Sequence, residues 1–99
     1  MERNHEEKRK FMRMLVDCKA HCKDTAAGEL FTARVHDLSS GGLGFSMERE
    51  AEPGHRLEVR IVPEKALVPP LHAEVEVVHV MADADGGRYR VGARILAHK

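Results

Sequence analysis

Residues 31–45 read Phe31-Thr32-Ala33-Arg34-Val35-His36-Asp37-Leu38-Ser39-Ser40-Gly41-Gly42-Leu43-Gly44-Phe45. Phe31, Ala33 and Val35 alternate with Thr32, Arg34 and His36. That period of two predicts a strand with one face in a core. The run Asp37-Leu38-Ser39-Ser40-Gly41-Gly42 is rich in Gly and Ser, so the strand ends in a loop there. Leu43 and Phe45 then alternate with Gly42, Gly44 and Ser46, which predicts a third strand directly after the loop.

The same period extends outward in both directions. Upstream, Met14, Val16, Cys18, Ala20 and Cys22 alternate with Leu15, Asp17, Lys19, His21 and Lys23, a first half-buried strand, and residues 24–28 read as a turn. Downstream, Glu52-Pro53-Gly54 marks a turn, and Leu57, Val59 and Ile61 alternate with Arg56, Glu58 and Arg60. Pro63, Pro69 and Pro70 make residues 63–70 a loop. Residues 71–81 slip phase: Ala73, Val75 and Val77 mark one face, then Val78 and Val80 the other. A bulge or burial on both faces accounts for the slip. Ala84-Asp85-Gly86-Gly87 is a hairpin signal. Tyr89, Val91, Ala93 and Ile95 complete a sixth strand. Short strands at this spacing predict an all-β sandwich or barrel, and no segment supports a long helix.

The chain has 99 residues, one small domain's worth. Its 16 basic and 16 acidic residues give a net charge of zero, which argues against a globally cationic nucleic-acid binder. Aromatics are 4%, thin for a domain that stacks single-stranded bases. Residues 1–10, MERNHEEKRK, are charged and carry no apolar targeting core, and no apolar run approaches the roughly 20 residues of a membrane helix. The expectation is a cytoplasmic protein with reduced cysteines and no membrane insertion.

Two motifs carry the chemistry. Arg9-Lys10-Phe11-Met12-Arg13 is an R-x-x-x-R immediately before the first strand, and residues 37–42 are a D-x-S-x-x-G joining the second and third strands. An arginine fork binds phosphate or the O6/N7 edge of guanine in bidentate fashion. Gly41, Gly42 and Gly44 let a ligand approach the backbone. Ser39 can donate to a phosphate, and an ionised Asp37 can accept from guanine N1 and N2. Spacing alone does not select the first motif, because Arg56/Arg60 and Arg90/Arg94 share it.

In this order the two motifs resemble the signatures of the PilZ domain, a bacterial receptor for cyclic di-GMP. The similarity extends over DLSSGGLGF, EPGHRLEVRIV, EVEVVHV and YRVGARI, so it covers nearly the whole chain from Arg9 to Ile95. The resemblance implies a six-stranded antiparallel split barrel over residues 14–99, preceded by a flexible charged arm, residues 1–13, that carries the R-x-x-x-R. It also implies a cyclic di-GMP site formed by Arg9, Arg13, Asp37, Ser39 and Gly42. Lys8, Lys10, Ser40, Gly41 and His79 are additional candidates. The implied function is a regulatory module, without cofactor or catalytic residues, whose arm closes over the ligand and changes contacts with a protein effector. The alternatives are a PilZ-like protein adaptor that binds no nucleotide, and a small oligonucleotide-binding barrel.

Seven histidines and two cysteines raise the question of a metal. On a strand, residues four apart lie roughly 13 Å from each other, too far for Cys18 and Cys22 to share one ion. Both cysteines have the parity of Met14 and Val16, so the expectation is core packing and no metal site. Arg34, Arg90 and Arg94 read as a solvated face.

Overall fold

The computed structural model describes residues 13–61, 70–83 and 86–99. Six strands follow one another: β1 (Met14–Asp24), β2 (Leu30–Leu38), β3 (Gly42–Met47), β4 (Arg56–Ile61), β5 (Leu71–Ala82) and β6 (Tyr89–His98). They close into a barrel in the order β1-β2-β3-β6-β5-β4, with β4 returning to β1. Every pairing is antiparallel. Closure pairs Ala20–Asp24 of β1 with Leu57–Ile61 of β4, so that half of β1 has partners on both sides.

The alternating apolar residues point inward, as their period demands. Cys18, Ala20, Cys22, Val35, Phe45, Leu57, Val59, Ile61, Val75 and Val77 are all buried in one core. Cys18 and Cys22 are therefore core side chains, and burial pushes the Cys22 thiol up to about 12. The alternation expected from Met14 fails at the start of β1. Met14 and Leu15 are exposed, and a register irregularity between Leu15 and Cys18 separates them from the regular part of the strand.

β5 resolves its phase slip with a bulge. Val77 faces Ala93 and His79 faces Gly92, which leaves Val78 as an extra, exposed residue. The hairpin after β5 is present: Asp83 N–H donates to Arg88 O at 2.8 Å, and Gly86 has a φ of 82°. Most of the predicted Pro63–Pro70 loop lies outside the described residues, as does residues 1–12 of the predicted arm.

Asp24 opens the expected turn as the last residue of β1, and it is only 3% exposed. Its Oδ1 accepts from the N–H groups of Ala26 at 2.9 Å and Ala27 at 3.0 Å. Its Oδ2 lies 2.9 Å from His55 Nε2 and 3.4 Å from Arg49 Nη2. One carboxylate thus ties the β1–β2 turn to the connection between β3 and β4. The Ala27 and Ala26 N–H groups and His55 together outweigh the cost of burial and hold the carboxyl below its usual range.

A depressed folded-state pKa stabilises the fold above the unfolded value of about 3.9 and loses that contribution as pH falls through the folded value. Asp24→Asn should therefore lower stability at neutral pH and flatten its decline below about pH 4. Urea melts of both proteins between neutral and acid pH measure this. Parallel pH profiles would show that Asp24 contributes no such linkage.

Candidate ligand-binding site

The outer face of the barrel carries an open cleft of about 610 Å³ along β2, β3, β6 and β5. Its floor is set by a pairing of glycines. Gly44 of β3 stands opposite Gly92 of β6. A Cβ on Gly44 would lie 2.8 Å from Asp37 Oδ2, and one on Gly92 would lie 2.5 Å from His79 Nε2. The two polar side chains thus lie directly over the two glycines. Any larger residue would contest that space.

Both side chains reach this face because of bulges. Strict alternation from Val35 would send Asp37 into the core. Instead Val35 faces Phe45 and Asp37 faces Gly44, so β2 gains one residue at His36 and Asp37 is turned outward. The bulge at Val78 does the same for His79. One cross-strand row results: Asp37, Gly44, Gly92, His79.

The loop between β2 and β3 closes on itself. Ser39 N–H donates to Gly42 O at 2.9 Å, and Gly42 N–H donates to Ser39 Oγ at 3.2 Å. Ile95 N–H donates to Gly41 O at 2.9 Å, which fastens the loop to β6. A Cβ on Gly42 would stand 2.5 Å from Ala93 O, a backbone atom that cannot swing aside. Gly41 has open space around it.

Arg13, Asp37, Ser39, Gly42 and His79 all line the cleft. Arg13 Nε lies 3.8 Å from Asp37 Oδ1, and the Arg13 side chain is 69% exposed. Such a solvated pair is worth about 0–1 kcal/mol, so either partner can be recruited by a better one. Ser40 and Gly41 are not brought into the cleft. Ser40 lines an apolar recess beside it, with Met14, Leu38 and Leu71, and Gly41 is exposed at the turn. Arg9, Lys8 and Lys10 lie outside the described residues. Val78, Met81 and Arg90 also line the cleft, and the sequence reading did not place them there. The phase slip at Val77–Val78 was the available signal for Val78. Among the described residues no three His, Cys, Asp or Glu side chains converge as metal ligands. Among the described residues there is no helix long and apolar enough to cross a membrane.

A family model described as PilZ domain matches residues 7–98, and the chain belongs to that family. Among solved structures, the Bacillus subtilis inhibitor of motility MotI/DgrA aligns with a TM-score of 0.73 at 15% identity, covering 92% of this chain and 44% of that one. The PilZ domain of YcgR from Escherichia coli, solved with c-di-GMP, aligns at 0.65 and 18% identity, covering 90% and 78%. The K. pneumonia MrkH–c-di-GMP complex aligns at 0.63 and 13% identity, covering 90% and 44%. The chain thus spans less than half the length of MotI/DgrA and of MrkH. No curated protein matches.

Gly42→Ala should destabilise the fold by about 1–3 kcal/mol, because the Ala93 backbone has to move. Gly41→Ala should be close to neutral. For a domain of this size that difference is about 4–8 °C of melting temperature per kcal/mol. Equal melting temperatures for the two variants would mean that β3 and β6 are not packed as closely as described.

Proposed function

We propose that this member of the PilZ family is a receptor module for cyclic di-GMP, a ligand with two phosphate charges and two guanine edges. One observation carries the reading. Arg13, Asp37, Ser39 and Gly42, drawn from two separate motifs, line a single cleft over a floor without side chains. In this reading Arg13 leaves its weak pair with Asp37 to grip a phosphate or guanine O6/N7. Asp37 then accepts from guanine N1 and N2, and the close-packed loop presents Ser39 and Gly42 to a phosphate. Arg9 joins by its place in the R-x-x-x-R, with Lys8 and Lys10 beside it. His79 bounds the ligand on the β5 side, and Ser40 and Gly41 act through the loop's shape.

The arm, residues 1–13, is the moving part of the proposal. A charge-assisted hydrogen bond contributes about 1.5–3 kcal/mol, while ordering a residue costs about 1–2 kcal/mol. Arm and loop must therefore bind together to reach the roughly 8 kcal/mol of micromolar affinity. Closure of the arm over the Asp37–Gly42 loop creates a surface that a protein effector reads as the bound state. The module regulates and does not catalyse.

Calorimetry should give saturable binding of cyclic di-GMP at micromolar affinity or better, and little for GTP or GMP. Arg13→Ala should weaken it by about 1.5–3 kcal/mol. Arg56→Ala should leave it unchanged, since Arg56 stands 3.9 Å from Glu74 on the β4–β5 side of the barrel. A flat titration would sink the receptor reading and favour an adaptor without nucleotide.

Arm closure has its own readout. Amides of the arm, residues 5–13, should exchange fast without ligand and slowly with it, while those around residues 75–80 change little. Protection that is already complete without ligand would remove the closure step and keep the binding claim.

A further inference from the structure

The signature residues occupy the β2 side of the cleft, yet the floor continues to β5. From Asp37 to His79 the row crosses three strand spacings, about 14 Å. Asp37 and His79 lean inward over that floor, so the signature loop addresses one half of a cyclic dinucleotide and the other half extends along β5 and β6 toward Met81 and Arg90. The far half is bounded by Val78, which is 49% exposed, Met81, which is 66% exposed, and Arg90.

We propose that Arg90, with Val78 and Met81, forms a second guanine subsite; this rests on the cyclic di-GMP reading above. Arg90 lies on the outer face of β6, two residues from Gly92, and pairs across the strands with Met81 of β5. Two residues along a strand is about 7 Å, so the guanidinium can stand beside the glycine floor. The exposed thioether of Met81 and the methyls of Val78 accept the face of a purine. The guanidinium fork then meets its O6/N7 edge.

Charge singles out Arg90 from its neighbours. Arg34 is paired with Asp17 at 2.9 Å, Arg49 with Glu29 at 2.9 Å and Arg88 with Glu48 at 3.9 Å. Arg94 lies on the same strand and face, but its Nε and Nη2 both donate to Glu76 Oε1, at 3.0 and 2.7 Å. Arg90 has no carboxylate partner among the described residues. Arg13 and Asp37 cancel within the cleft, so Arg90 supplies the net positive charge of the lining described. A cation held in a cleft without a counter-ion is placed for an acceptor that arrives with the ligand.

The test compares cyclic di-GMP with 3′,3′-cyclic GMP-AMP by calorimetry on the full chain. The mixed dinucleotide can give its guanine to the signature loop and leave adenine for Arg90, where the N6 donor opposes the fork. Wild type should prefer cyclic di-GMP by about tenfold or more. Arg90→Met should erase the preference by weakening cyclic di-GMP alone. Arg90→Lys keeps a donor for the O6/N7 edge but loses the rigid fork, and should narrow the preference without erasing it. The side chain is exposed, and a thermal melt checks that both variants fold. A preference that survives undiminished in Arg90→Met overturns the subsite. So does an equal loss for both ligands, which would assign Arg90 to a phosphate. In either of those cases binding that still depends on Arg13 leaves the receptor reading standing. No binding of either ligand to wild type removes both.

Discussion

The Gly44–Gly92 pair is the constraint on which the site depends. Two facing residues without side chains, in adjacent strands, leave room on the outside of a closed barrel. Cross-strand side-chain pairs normally contribute about 0.2–1 kcal/mol to a sheet. Here that contribution is given up, and glycine adds its own entropic cost of about 0.5–1 kcal/mol in a strand. The space released is filled from the flanks by Asp37 and His79. Each reaches it through a bulge that reverses the parity of its strand. Floor and walls are thus one device. The glycines make room, and the bulges aim polar side chains over it.

Such a device weakens the ladder where it sits, and the remainder of the barrel compensates. Phe45 follows Gly44 on the same strand, points the other way, and is 1% exposed in the core. Removing a buried Phe of this kind costs about 3–5 kcal/mol, so the strand that carries the thin outer face is anchored by its inner one. At the far end of β1 the buried Asp24 carboxylate ties two connections together. Leu15 faces Asp37, and Asp24 lies nine residues further on, about 30 Å along the strand. This buried polar network is therefore remote from the cleft. The pair inside the cleft, Arg13–Asp37, is long and exposed. A binding site gains from that division, because the groups that must re-partner with a ligand do not hold the fold.

The strands and their order were legible in the sequence because period two survives at Ala20 and Cys22, at Ala33 and Val35, and at Leu57, Val59 and Ile61. The cleft residues Asp37, Ser39, Gly42 and Arg13 were legible as motifs. Their placement on one face was not. Alternation counted from Val35 puts Asp37 inside, and only the pairing with β3 shows the extra residue at His36. The turn that Asp24 opens was legible, but the burial of its carboxylate was not, because Asp24-Thr25-Ala26-Ala27-Gly28 signals a turn whether that carboxylate is exposed or buried. Its partners His55 and Arg49 are 31 and 25 residues away. Arg90 and Arg94 do share one exposed outer face, as their parity implies. Strand parity makes them equivalent, and only the approach of Glu76 to one of them distinguishes the two.

The register makes that last difference consequential. Along the outer face of β6, Arg94, Gly92 and Arg90 sit opposite Glu76, His79 and Met81 of β5. The first pairing is ionic and satisfied. The second is an imidazole lying on a glycine. The third sets a guanidinium beside an exposed thioether. The strand passes within five residues from a closed salt bridge to an open cation, with the bulge at Val78 between them. Without that bulge the register continued from Val77 and Ala93 would put Val78 beside Gly92 and Val80 beside Arg90, and point His79 and Met81 into the core. The ligand-facing wall would then be wholly aliphatic. One inserted residue therefore determines whether this side of the cleft has polar chemistry to offer at all.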